Sequence, residues 1–108
     1  GHRKVAFSLR TQDTPIAANN LAWLIAENQG NLDEALQLAT ASVAKGPNVA
    51  GYYDTLGWVY YRKGLFSPAA KQMRKAIELD EANGKPIDPA YRQRLGVILA
   101  ASGDKASL

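Results

Sequence analysis

The chain has no cysteine and only one histidine, His2, among its 108 residues. Disulfide bonds and thiolate metal sites are therefore excluded. His2 follows Gly1 and is typical of an expression-tag remnant, so neither a Ser-His-Asp nor a Cys-His catalytic set can be assembled. No Gly-rich phosphate loop precedes a helix, and no cluster has metal-ligand spacing. We therefore expect a protein that is not an enzyme, with no catalytic residue, no metal site and no cofactor.

Long apolar runs and strong charge are also missing. No apolar stretch approaches the ~20 residues that a membrane span requires, so we expect no membrane insertion. The net charge is only +3, and basic residues such as Arg62, Lys71 and Arg74 alternate with apolar positions. This spacing favours solvated helix faces over a nucleic-acid patch, and we expect no nucleic-acid partner.

What the chain does contain is a repeat. The segment 21–35, LAWLIAENQGNLDEA, returns at 56–69 as LGWVYYRKGLFSPA, and a third copy begins at residue 95. Gly30 and Gly64 are 34 residues apart, and so are Ala35 and Ala69. Trp23 and Trp58, however, are 35 residues apart. The difference indicates one extra residue before the turn of the first copy. A period in this range is typical of repeat arrays, which usually bind other chains.

The spacing of apolar residues predicts five helices, at about 15–28, 31–45, 49–63, 67–80 and 88–101. Thr14-Pro15, Asn31, Ser67-Pro68 and Asp88-Pro89 have the composition of helix starts. Gly30 and Gly64 can adopt the left-handed conformation that closes a helix. Ser102-Gly103 is expected to end the fifth helix, and residues 104–108 could open a sixth. Residues 3–13 alternate with period two, which favours an extended segment, yet they also lie where the end of a preceding repeat would fall.

The second copy resembles the tetratricopeptide repeat (TPR) family. The first copy matches the family pattern less closely, since Ser42 replaces a later alanine. The sequence of the two copies is most similar to that of bacterial TPR proteins. The residues that match the family pattern are Tyr53, Leu56-Gly57, Tyr60, Gly64, Ala69 and Ala76. The resemblance implies an all-α fold, a right-handed superhelix of antiparallel helix pairs with about two and a half repeats.

The domain division follows from the resemblance. Residues 1–13 form an N-terminal segment, a tag remnant plus the possible end of a preceding repeat. Residues 14–104 form the repeat domain, with repeats at about 15–48, 49–82 and 88–108, the last incomplete. Small residues should let helices meet closely: Ala22, Ala35, Gly57, Ala69 and Gly96. No following helix is evident that would cover Leu95, Ile98 and Leu99. A truncated array, a self-association surface or a short sixth helix would each explain this, and we favour truncation.

In the TPR family the first helix of each pair lines a concave groove. This resemblance places seven residues as a partner-binding groove: Trp23, Trp58, Tyr61, Asn20, Asp54, Arg62 and Arg94. Trp and Tyr are frequent binding hot spots, so Trp58 and Tyr61 would anchor a partner peptide or helix beside Trp23. The alternative is that the two tryptophans pack on each other and on adjacent helices as structural filler.

Another use of the family fold is a clamp of Lys, Asn and Arg side chains that grips the C-terminal carboxylate of chaperones. The clamp positions are occupied here by Asn19, Trp23, Thr55, Ala90 and Arg94, of which only Arg94 matches. Because one cation is too little for two carboxylates, we expect no binding of chaperone tails.

The expected function is a non-enzymatic protein-interaction module that binds a protein or peptide in the concave groove. The alternative is a structural spacer or self-association segment of a larger bacterial multi-repeat protein, including a homo-oligomer formed through the exposed terminal repeat. The sequence leaves the compartment open between bacterial cytoplasm and periplasm or envelope.

Overall fold

The computed structural model describes residues 14–107, with side chains described as far as residue 103. This part of the chain is all-α and contains no strand, which confirms the predicted fold class. The two interpretations of residues 3–13 concern a segment that lies outside the described residues. The helices are α1 (Pro15–Glu27), α2 (Leu32–Lys45), α3 (Ala50–Arg62), α4 (Phe66–Ala82) and α5 (Pro89–Ser107).

Side chains cap the first two helices as the sequence predicts. The Thr14 hydroxyl accepts a hydrogen bond from the backbone N–H of Ala17, with Pro15 in the first turn. The Asn31 carboxamide accepts from the N–H groups of Asp33 and Glu34. These bonds satisfy N–H groups that have no partner inside the helix, and the two acids complement the helix dipole.

The turn after α1 differs from the prediction. The residue with positive φ is Gln29 (φ 56°), not Gly30. The N–H of Gly30 donates to the carbonyl oxygen of Ile25 at 2.9 Å, which is the bond that follows a left-handed residue at a helix end. A Cβ on Gly30 would lie 2.9 Å from Cγ2 of Ile25, so this position needs glycine for space rather than for φ.

The second unit closes in the same way, with Gly64 (φ 79°) as the left-handed residue and Leu65 donating to the carbonyl of Tyr60. Gln29 and Gly64 are therefore equivalent, and they are 35 residues apart, as the tryptophans are. The extra residue of the first unit lies after its left-handed turn position, and the prediction that it lies before the turn is wrong.

Two predicted helix ends also change. Helix α4 begins at Phe66, and its N-cap Leu65 makes no side-chain capping bond. Pro68 is tolerated in the first turn because N–H groups there lack intrahelical acceptors. Helix α5 continues through Gly103 to Ser107, so no sixth helix begins at residue 104. Gly103 does not have the positive φ that would end the helix.

The helix pairs lie against one another in order. Helices α1 and α2 pack together, as α3 and α4 do, and the first pair contacts the second through α2–α3 and α1–α3. Helix α5 packs on α4 and contacts α3. Two hydrophobic clusters fill the interfaces. The cluster between the first pair and α3 consists of Ala22, Ala26, Ala35, Ala39, Leu56 and Val59. The cluster between the second pair and α5 consists of Tyr53, Ala69, Ala70, Met73, Ala76, Tyr91 and Ile98.

The predicted close-packing residues behave differently from one another. Ala22, Ala35 and Ala69 are fully buried, and a Cβ on Gly57 would lie 3.0 Å from the carbonyl oxygen of Ala69. These contacts confirm the prediction at those positions. A Cβ on Gly96 would meet no atom within 4 Å, so no helix approaches closely there.

The outer face of α5 is less exposed than the sequence predicts. Ile98 is fully buried against α4, and Leu95 is half-buried, whereas Val97 and Leu99 are about 40% exposed. No described helix is both long and apolar enough to cross a membrane. The repeat boundaries and the right-handed sense of the superhelix stay predictions.

Candidate functional site

The first helices of the three units lie side by side, since α3 contacts both α1 and α5. They form one surface, called the groove face below. All seven residues predicted to bind a partner lie on these helices. Their surroundings differ along the face, with an aromatic row at one part and a polar cavity at another.

The aromatic row consists of Trp23, Trp58, Tyr61 and Phe66. The ring centroids of Trp23 and Trp58 are 6.3 Å apart, and those of Trp58 and Tyr61 are 4.6 Å apart, both in stacked geometry. Phe66, at the start of α4, lies 5.9 Å from Tyr61 in a tilted arrangement. All four residues are half-buried, so part of each side chain stays exposed.

Two hydrogen bonds hold this row against the end of α1. The indole Nε1 of Trp58 donates to the Glu27 carboxylate at 2.6 Å. The Arg62 guanidinium donates through Nε to the carbonyl oxygen of Ala26 at 3.2 Å. Because both bonds join the first unit to the second, they fix the rings in position across the repeat boundary.

Arg94 of α5 reaches back to the two earlier units. Its Nε and Nη2 donate to the two carboxylate oxygens of Asp54, each at 2.7 Å. The guanidinium carbon also lies 4.9 Å from the centroid of the Trp23 ring, in cation–π geometry. Asp54 and Arg94 were predicted as partner-binding residues, and the structure pairs them with each other.

Burial sets the electrostatics of this pair. Asp54 is only 7% exposed. Burial raises the pKa of the Asp54 carboxyl above its ordinary value, while the hydrogen bonds and charge of Arg94 oppose this effect. Burial likewise raises the pKa of the nearby Tyr91 phenol to about 12, with the Asp54 charge acting in the same direction.

A cavity of about 490 Å³ opens beside the ion pair. Gly51 and Thr55 on α3 contribute to its wall, and no side chain projects into it from Gly51. The Asn19 Oδ1 atom is buried, and it accepts no hydrogen bond from any residue in the described range 14–107. The lining residues are Asn19, Asn20, Trp23, Leu24, Gly51, Asp54, Thr55 and Arg94.

The repeat explains why Asn19 has no partner. Asn19 and Asp54 occupy equivalent positions 35 residues apart, and Thr55 and Arg94 are equivalent in the next two units. Asp54 faces the long Arg94 side chain and receives two hydrogen bonds. Thr55, which is shorter than Arg94, lines the same cavity as Asn19 but makes no bond to it. The same acceptor position is therefore satisfied in one unit and unsatisfied in the other.

The predicted residues fall into two groups. Asn20, Trp23, Asp54 and Arg94 line the cavity. Trp58, Tyr61 and Arg62 lie along the aromatic row next to it, and their use in binding stays a prediction. The predicted site did not include Leu24, Gly51 or Phe66, and Asn19 and Thr55 were named only as positions of the chaperone-tail clamp. The equivalence of Asn19 to Asp54 could have placed Asn19 in the site, but the positions of Leu24, Gly51 and Phe66 depend on how the helices cross.

The side chains described by the structure include no group of three His, Cys, Asp or Glu residues placed to hold a metal ion. The groove face supplies rings, amides, the neutral Asp54–Arg94 ion pair and the separate charges of Glu27 and Arg62. Such a set can bind a ligand through apolar contact and hydrogen bonds.

Comparisons with known proteins give one similarity. No family model matches the chain, and no solved structure matches it. A Pseudomonas aeruginosa protein named a TPR repeat-containing protein is 28% identical over 69 residues, which are 64% of this chain and 12% of the relative. The chain therefore spans about an eighth of that protein's length. Together with the layered helix pairs, this similarity is consistent with an all-α helical repeat of TPR type.

Proposed function

We propose that the chain is a non-enzymatic protein-interaction module that holds a segment of a partner protein on the groove face. The observation that carries the proposal is the cavity of about 490 Å³ beside a half-exposed aromatic row, with the unsatisfied Asn19 Oδ1 in its wall. A buried acceptor without a partner costs free energy, and a donor N–H from a bound segment would remove that cost.

The aromatic row suits a binding surface because its rings are already held in place. Trp58 stacks with both Trp23 and Tyr61 and is hydrogen-bonded to Glu27, so it loses little freedom when a partner binds. A preorganised surface lowers the entropy cost of association. A partner would contact the exposed parts of these rings and the neighbouring Leu24, which is 57% exposed.

The charges favour a neutral, partly apolar segment. Arg94 is the cation that lines the cavity, and its guanidinium is already bonded to Asp54. The ion pair is neutral as a whole and offers little attraction to an acidic tail. This arrangement supports the expectation that chaperone tails do not bind.

A cavity-filling variant tests the proposal. Peptides that bind the protein would be selected from a random display library and measured by fluorescence anisotropy. A Cβ on Gly51 would meet only the Tyr91 hydroxyl, at 3.8 Å, so Gly51→Leu should fold and fill the cavity. The matched control is Gly96→Leu, at a helical glycine outside the cavity with nothing within 4 Å.

We expect Gly51→Leu to weaken peptide binding at least about tenfold, since a blocked anchor costs about 1.4 kcal/mol or more, and Gly96→Leu to leave it unchanged. Selected peptides that bind both variants equally well would show that the cavity is not the site. If the library yields no peptide that binds the groove face, this result would argue against the interaction function itself.

A second candidate is self-association or stacking as a structural spacer, and one observation favours it. Leu24 is equivalent to Val59 and Ile98, which are fully buried against the preceding helix pair. Leu24 itself is 57% exposed, and Ile16 on the same helix is 65% exposed. Sedimentation velocity distinguishes the two functions, because a concentration-dependent dimer that Leu24→Lys abolishes supports association, whereas a monomer at all concentrations supports the groove function.

A further inference from the structure

A second open groove, of about 500 Å³, lies along α4 and shares no residue with the cavity of the groove face. Its floor includes Tyr53 of α3, which is buried and donates its hydroxyl hydrogen to the carbonyl oxygen of Pro47. The remaining lining residues all belong to α4. We call it the α4 groove, and its lining is Tyr53, Lys71, Gln72, Arg74, Lys75 and Glu78.

Three cations dominate the α4 groove. Lys71, Arg74 and Lys75 are exposed and occupy positions i, i+3 and i+4 of the helix. None of them forms an ion pair with any residue between 14 and 103, and Glu78 is the single acid of the lining. The groove therefore carries a net positive charge that the described part of the chain leaves uncompensated.

Three cations outside the α4 groove, by contrast, are engaged. Lys63 pairs with Asp33, Arg94 pairs with Asp54, and Arg62 donates to a backbone carbonyl. Like charges three and four residues apart on a helix repel one another, so the cluster on α4 is unfavourable for the isolated helix. An anion bound in the groove would remove that repulsion.

The shape and charge pattern indicate what kind of anion fits. With a rise of about 1.5 Å per residue, the cations from Lys71 to Lys75 extend over about 6 Å. That length exceeds one carboxylate or phosphate group and matches acidic side chains spaced over one helical turn. Glu78, a further turn along, repels negative charge at that end, so a polymer with uniform charge such as a nucleic acid fits poorly. A flat lipid surface would contact the rim but would not fill a groove.

We propose that the α4 groove binds an acidic segment of a partner protein, with its carboxylates near Lys71, Arg74 and Lys75 and its uncharged or basic end near Glu78. The site is independent of the groove face, so the protein has two surfaces that can hold different parts of a partner.

The test uses a fluorescein-labelled oligoglutamate peptide and measures its affinity by fluorescence anisotropy at low and high salt. The double variant Lys71→Glu, Lys75→Glu should weaken binding about tenfold or more, since each exposed pair contributes modestly and the effects add. The control variant Lys85→Glu, Arg92→Glu makes the same change in net charge at exposed positions outside the groove, and its effect should be less than about threefold.

Glu78→Gln supplies a result that misfolding cannot imitate, because removal of the repelling carboxylate should tighten binding about twofold to threefold. Gly51→Leu should leave oligoglutamate binding unchanged, which separates this site from the groove face. Equal weakening by both double variants would show a general charge effect and overturn the proposal. The proposal would also be overturned if inorganic phosphate, phosphatidylserine vesicles or a single-stranded oligonucleotide bound more strongly than oligoglutamate and if that binding depended on Lys71.

Discussion

The contact between Arg94 and Asp54 is the strongest polar link between the second and third units. In Arg94→Ala, Asp54 would remain buried without a partner. Removal of one member of a buried ion pair typically costs about 3–5 kcal/mol. Since the Arg94 side chain is 22% exposed, we expect the lower end, about 3 kcal/mol including the lost cation–π contact with Trp23. This is a large share of the ~5–15 kcal/mol by which small domains are stable.

The pH dependence of this loss identifies its cause. In the variant, the two Arg94 effects that lower the pKa of Asp54 are gone, while the burial that raises it remains. The folded protein then binds a proton at a higher pH than the unfolded chain, whose Asp carboxyl titrates near its ordinary value of about 3.9. Stability is therefore gained as pH falls through the raised folded pKa, and lost as pH rises through it. The deficit of Arg94→Ala relative to wild type should shrink toward acidic pH.

Urea unfolding followed by far-ultraviolet circular dichroism at neutral and mildly acidic pH measures both effects. The control repeats Arg94→Ala in an Asp54→Asn background, where the loss should be smaller and independent of pH, because no buried carboxylate is left unpaired. A loss below about 1 kcal/mol at neutral pH would be typical of an exposed pair and would refute the described burial of Asp54. A loss that stays constant with pH would refute the electrostatic explanation.

Four further changes test the packing and the turns by urea unfolding. Gly57→Ala should destabilise the protein by about 1–2 kcal/mol, because the new Cβ would lie 3.0 Å from the Ala69 carbonyl oxygen. Gly96→Ala should stabilise it by up to about 1 kcal/mol, because the new Cβ would have no atom within 4 Å. Equal effects of the two changes would contradict this packing. Ser42→Ala should cost about 1 kcal/mol, because the buried hydroxyl donates to the Pro15 carbonyl at 3.0 Å, and no loss would show that this bond is dispensable. Gln29→Gly should stabilise by about 1 kcal/mol, because Gln29 holds a left-handed φ of 56°, and destabilisation would place the turn elsewhere.

Much of the fold is readable from local sequence. The Asn31 cap, the positive φ of Gly64 and the periodic apolar residues each act within three or four residues of the chain, so the sequence predicts five helices in the right order. The errors occur where two local signals compete. The sequence favours Gly30 for the left-handed position, but Gln29 adopts it, and Gly30 instead lies against the Ile25 side chain. Gly103 has the composition of a helix end, yet α5 continues past it.

The candidate site is harder to predict from the sequence than the fold is, because its residues come from different units. The repeat period places Trp23, Trp58 and Arg94 on equivalent faces of successive first helices, and the sequence alone indicates that much. The bond between Asp54 and Arg94 joins residues 40 apart, and the lack of a donor for the Asn19 Oδ1 atom depends on which side chains the neighbouring helices bring to the cavity.

The sequence by itself determined the class of fold, the order of the helices and the small residues at which they meet, because caps, turns and apolar periodicity are properties of neighbouring residues. The crossing of α1, α3 and α5 decided which polar groups find partners, which rings stack and where a cavity remains. Those outcomes depend on distances across the helix layers, and only the packed tertiary structure sets them.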